Sequence, residues 1–146
     1  MDNLNITDAY VQQLEDFLNT NLKLSLSKFK NLKEYNNLLI IQSSIENSIK
    51  LSIYPIKKEK VIKISLYGLK LSKKILKEIS KILQKFQVIH TSGFLKVKKH
   101  IYYECYLNLS NSESKNKSLK DSLDKIKNIF KEIKIEEVGV RNSGAS

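Results

Sequence analysis

Residues 49–86 read IKLSIYPIKKEKVIKISLYGLKLSKKILKEISKILQKF, and this stretch decides how the rest of the chain is read. Ile49, Leu51 and Ile53 alternate with Lys50 and Ser52, and Ile62, Ile64 and Leu66 alternate with Lys63 and Ser65. Side chains on a strand alternate between its two faces, so each run predicts a strand with one apolar face and one face of lysine and serine. Tyr54-Pro55 lies between them, and Pro55 is the only proline. Proline has no N–H to give a ladder, which places it at a strand end or turn. Ser72 then offers an N-cap for a helix whose apolar residues Ile75, Leu76, Ile79, Ile82, Leu83 and Phe86 keep helical spacing throughout.

Working outward toward the N-terminus, Tyr10, Val11, Leu14, Phe17 and Leu18 fit one face of a helix capped by Thr7. Leu22, Leu24 and Leu26 alternate with polar residues and predict a strand, and Leu38–Ile41 is a continuous apolar run that predicts a buried one. Toward the C-terminus, 87–97 and 101–109 predict a hairpin turning at Lys98-Lys99-His100. Ile101, Tyr103, Cys105, Leu107 and Leu109 fall on one face of its second strand, and Tyr102, Glu104, Tyr106 and Asn108 on the other. Residues 110–117 read as a polar loop. Ser118 with Asp121 then starts a third helix carrying Leu119, Leu123, Ile126, Ile129, Phe130 and Ile133, and Ile135, Val138 and Val140 suggest a last short strand.

The expected fold class is α+β: a four-stranded antiparallel meander over 22–67 flanked by helices and extended by a hairpin, helix and strand. At 146 residues one compact domain over 1–140 is expected, in two halves, 6–86 and 87–140, with 141–146 as a flexible tail. A lone cysteine and no basic, apolar leader point to the cytoplasm. The longest apolar run, Leu38–Ile41, is far short of the roughly 20 residues that span a bilayer, so no membrane insertion is expected.

The formal charge of +11 points to an acidic partner such as nucleic acid, an anionic membrane surface or an acidic protein surface. Arg141 is the only arginine among the 26 basic residues, which weakens a base-reading role, because guanidinium forks grip base edges best. The charge is concentrated: residues 23–99 carry 18 lysines and 4 acids, net +14, whereas the first 22 carry net −4. Lys73, Lys77, Lys81 and Lys85 recur every four residues opposite the apolar stripe of their helix and form a basic ridge, either a solvated face or a docking surface. Tyr102 and Tyr106 share a strand face and are candidates for an interaction surface, a dimer seam or burial under a helix.

No catalytic constellation is apparent. His90 and Ser92 lack an acidic orienter, and His90, His100 and Cys105 do not have a zinc-site spacing. Glu136, Glu137, Asp121 and Asp124 have no visible partners for acid–base work. No enzyme activity, metal or cofactor is expected.

Helix, meander and helix, with Tyr54-Pro55 between the third and fourth strands, resembles the RWD family, the non-catalytic relatives of ubiquitin-conjugating enzymes, over 6–86. The family's motif has a second proline after three intervening residues, where this chain has Glu59. The conjugating enzymes' His-Pro-Asn signature is absent, and Cys105 sits on an apolar strand face as a packing residue. The resemblance implies a protein-binding adaptor, possible as a homodimer. Residues 61–140, in the order strand, helix, strand, strand, helix, strand, resemble a ferredoxin-like domain such as ACT. That resemblance implies small-molecule sensing at the loop that begins with Tyr67-Gly68, which lacks the acidic residue and Pro-Gly common in the family.

Overall fold

The computed structural model describes residues 6–19, 29–68, 72–109 and 113–140. It is α+β, with two antiparallel sheets of three and four strands, and it divides at Val61 into two compact units. One unit is Thr7–Lys60 with the segment from Val138, and the other is Val61–Glu137 with the segment that ends at Ile6.

The first unit contains β1 (Thr7–Gln13), a short α1 (Leu14–Leu18), β2 (Asn37–Ile45) and β3 (Ser48–Ile56), in the sheet order β1-β2-β3. The expected N-terminal helix is therefore mostly a strand. Tyr10 and Val11 satisfy a helical pattern, but pairing with β2 sets Val11 opposite Leu39 and Tyr10 opposite Ile40, and strand-favouring side chains find neighbours there. Only Leu14–Leu18 keeps helical form, with Phe17 buried against Leu38 and Ile40. Val11 N–H turns away from β2 to donate to Gly139 O at 3.1 Å, and Val11 makes a parallel bridge with Val140. The strand expected over 22–26 lies outside the described residues.

Leu38–Ile41 forms the buried centre of β2, as its unbroken apolar run predicts. β2 and β3 make a hairpin around Glu46-Asn47, with Pro55 opposite Leu38 one residue before the end of β3. β3 ends its sheet, and an edge is where proline is tolerated. The alternation of Ile49, Leu51 and Ile53 marks a strand but misjudges burial. Ile53 packs on the core, while Ile49 (67% exposed) and Leu51 (45% exposed) stand toward the hairpin tip, opposite the polar Ser44 and Gln42.

The second unit contains β4 (Val61–Gly68), α2 (Lys73–Lys85), β5 (Val88–Val97), β6 (His100–Leu107), α3 (Glu113–Asp124) and β7 (Phe130–Val138), with sheet order β5-β6-β4-β7. The expected meander is not formed, because β4 leaves β2 and β3 for this second sheet. Every residue of β4 except Ser65 is buried, so the strand needs a neighbour on each edge, and it has β6 and β7. The alternation in β4 predicts one face of lysine and serine, but Lys63 is buried too.

α2 forms as the sequence predicts, and Ser72 Oγ accepts a hydrogen bond from Ile75 N–H at 3.2 Å. The hairpin β5–β6 also forms, with Lys98 left-handed in its turn. Gly93, at φ +73°, lies in the register shift between Thr91 and Phe94, a bulge that glycine permits without strain. One face of the sheet packs Ile62, Ile64, Leu66, Tyr103, Cys105 and Leu107 against Ile79 of α2 and Leu119 and Leu123 of α3. At ~1.5–3 kcal/mol per fully buried large apolar side chain, this cluster dominates the unit's stability.

The third helix begins and ends earlier than its apolar stripe suggests. Glu113–Lys117 are helical, not loop, and Ser118 is inside the helix, its carbonyl accepting from Ser122 Oγ at 2.9 Å. Ile126 and Ile129 still pack on the core from the turns that follow Asp124, but Phe130 and Ile133 belong to β7. Spacings of three and four residues fit a helix in the sequence while being met here across a turn and a strand start.

Candidate interaction surface

A concave feature follows from that early helix end. α3 stops at Asp124, the chain turns, and β7 runs along the end of the sheet, leaving a groove of about 600 Å³ between helix and strand. Leu123, Phe130, Ile133 and Ile135 give it an apolar lining, and Ile135 is 38% exposed. Lys120, Lys127 and Lys131 stand on it with Asp124 and Glu132. None of these five makes an ion pair among the described residues.

A second recess of about 260 Å³ shares Lys120 and Ile135 with the first and reaches Asn116 of α3. Among the described residues Asn116 Oδ1 is buried without a hydrogen-bond partner, whereas most buried acceptors in proteins are satisfied. Beyond β7 no further strand pairs among the described residues, so its outer backbone edge is a template for an added strand. On the side of β7 away from the groove, Lys134 Nζ lies 2.9 Å from Glu136 Oε1, and this hydrogen bond and charge raise the lysine pKa.

The side of the four-stranded sheet opposite the helices is polar and aromatic. Lys63 pairs with Tyr106, Ser65 with Glu104 and Tyr67 with Tyr102 across β4 and β6. Lys63 Nζ and Glu104 Oε2 are 2.8 Å apart with side chains only 6% and 3% exposed. Lys63 also lies 5.9 Å from the Tyr106 ring centroid.

The residues singled out from sequence are scattered over different environments. Lys73, Lys77, Lys81 and Lys85 are all exposed on α2. Tyr106 is fully buried (0% exposed), so it offers no outer contact, while Tyr102 is half-buried 4.7 Å from the Tyr67 ring. Loss of hydration, then Tyr67, raises the Tyr102 pKa. Tyr54 and Pro55 are half-buried on β3. Tyr67 is buried, and a Cβ on Gly68 would meet the Phe130 ring at 2.7 Å, so Gly68 is explained by packing; residues 69–71 of that loop lie outside the described residues.

Ser92 Oγ donates to Gly93 O and accepts from Glu104 N–H, both at 2.9 Å, so its hydroxyl is engaged in the strand pairing. His90 packs edge-on to Tyr106. Burial pushes the Cys105 thiol up to about 12, with the Glu104 charge adding to it, and a thiol protonated at neutral pH is a poor nucleophile. Among the described residues no group of three or more His, Cys, Asp or Glu is placed to hold a metal ion. No helix among them is long and apolar enough to cross a membrane.

The groove itself was not anticipated. Its one visible signal in the sequence is the alternation of Ile133 and Ile135 with Lys134 and Glu136, which the helical spacing of Ile129, Phe130 and Ile133 masks. No protein-family model matches the chain, and no curated protein matches it.

Proposed function

We propose that this chain is a non-catalytic protein-interaction module that receives an extended segment of a partner protein in the groove between α3 and β7. The carrying observation is that an apolar groove lies directly beside the end strand of a sheet. Such a site provides both elements of strand addition: backbone groups for affinity and pockets for alternate side chains. Lys120 and Lys127, without ion pairs among the described residues, favour a segment that carries an acidic residue beside its apolar ones, and Asn116 Oδ1 favours an N–H donor at the other end, while Lys131 Nζ lies 5.8 Å from the Tyr67 ring centroid.

The strand order β5-β6-β4-β7, with α2 and α3 as connections, supports a ferredoxin-like βαββαβ reading of Val61–Glu137. The departure of β4 from the first sheet leaves the RWD resemblance resting on Tyr54-Pro55. The ligand-sensing role attached to ACT domains gains nothing from Gly68, whose missing side chain is accounted for by Phe130.

A displayed library of random peptides selected against the intact chain tests the proposal. Enriched peptides should alternate apolar residues, carry an acid, and bind Ile135→Asp at least 10-fold more weakly, since one buried isoleucine is worth ~1.5–3 kcal/mol and ~1.4 kcal/mol is tenfold. Peptides that bind the variant as well as the wild type would reject the site. Self-association of the chain abolished by the same substitution would assign β7 to a second copy instead.

A further inference from the structure

We infer that the outer face of α2 binds the phosphate backbone of a nucleic-acid strand. This surface is separate from the α3–β7 groove and does not depend on the groove's occupant. Lys73, Lys77, Lys81 and Lys85 are exposed and follow one another every four residues, which sets them ~6 Å apart along the helix axis. Lys74 is exposed beside them, and Glu78 is the only acid on the helix.

The helix gains little from this arrangement. Like charges at four-residue spacing repel by a few tenths of a kcal/mol per pair, and Lys73 and Lys74 occupy a first turn that the helix dipole makes favourable for anions. No acidic residue stands in that first turn. The only ion pair on α2 among the described residues is Lys81 with Glu78, exposed at 3.3 Å, so Lys73, Lys74 and Lys77 have no carboxylate to offset them. A polyanion laid along the ridge removes both penalties.

The chemistry of the face selects among polyanionic partners. The apolar side of α2 is occupied: Ile79 is buried, and Ile75, Ile82 and Leu83 pack on the same core. None of the exposed large apolar residues lies on this helix. A membrane anchor of this kind inserts apolar side chains, and a protein interface has an apolar centre. Phosphate neutralisation with counterion release needs only a row of cations. With lysine in place of arginine and no exposed aromatic on the face, the contact is to backbone and independent of base sequence.

The test is fluorescence anisotropy of a labelled single-stranded oligonucleotide with the intact chain between 50 and 200 mM salt. Four neutralised phosphates give a log–log slope of about −2.8 and a roughly 50-fold loss of affinity over that range. Lys77→Gln with Lys81→Gln should flatten the slope by about 1.4, while Lys33→Gln with Lys50→Gln, which removes the same charge from exposed sites elsewhere, should leave it unchanged. Unchanged circular dichroism and Tm in both double variants establish that the folds compared are the same. Equal weakening by the two pairs would overturn the proposal in favour of net charge alone. Binding to vesicles containing anionic lipid that depends on Lys77 and Lys81, without such dependence for the oligonucleotide, would overturn it in favour of a membrane surface.

Discussion

Gly68 at the end of β4 lies against the ring of Phe130 at the start of β7, so closely that a methyl group on Gly68 would come within 2.7 Å of Phe130 Cδ1. The absence of a side chain at one residue thus makes room for an aromatic ring that also lines the groove. Gly68→Ala forces that ring or the strand end to shift, at ~1–3 kcal/mol for an overpacked site. Combining it with Phe130→Val, which has no δ carbon to clash, should return part of that stability. Urea denaturation of the two variants measures this, and a Gly68→Ala protein as stable as the wild type would show that Phe130 moves freely.

Lys63 and Glu104 form a buried pair on the opposite side of the sheet, 2.8 Å apart. Removing one partner strands a charge away from water. Glu104→Ala is therefore expected to lose ~3–5 kcal/mol, and Lys63→Met with Glu104→Leu much less than either single change implies. A double-mutant cycle from chemical denaturation checks the coupling. Additive losses would mean the two side chains act independently despite their separation.

Alkaline pH should loosen the four-stranded unit. Burial pushes Cys105 from its ordinary 9.0 up to about 12, and Tyr103 from 10.0 up to about 12. Both groups are neutral when protonated, and the folded state holds its protons more tightly than the unfolded chain does. Their contribution is thus complete below about pH 9 and is lost as pH rises toward 12. Denaturation midpoints measured at pH 8, 10 and 11 should fall progressively, with a smaller fall for Cys105→Ala. At pH 8 a thiol reagent should label Cys105 only as fast as the protein opens, and rapid labelling of the folded chain would contradict its burial.

What the sequence revealed depended on whether a pattern had one structural solution. Ile75 to Phe86, with Ser72 before it, fits only a capped amphipathic helix, and α2 forms with that cap. The faces of β6 are legible for the same reason, since Tyr103, Cys105 and Leu107 are the residues that meet the helices. Tyr10 and Val11 fit helix or strand equally, and their pairing with β2, remote in the sequence, decided for strand. Phe130 and Ile133 continued the stripe of α3 by coincidence of spacing, which concealed both the start of β7 and the groove beside it. The lysine ridge was legible because exposed positions opposite an apolar stripe follow from the helix alone.

The most direct measurement of the central claim is residue-level hydrogen exchange by NMR with and without a peptide selected against the groove. Only alternate N–H groups of a strand point toward each edge, so an added strand should slow exchange at every second amide of β7, leaving the outer face of α2 unchanged. A peptide that binds while the amides of Phe130–Val138 exchange at their unbound rates would contradict strand addition at β7, and with it the proposed function.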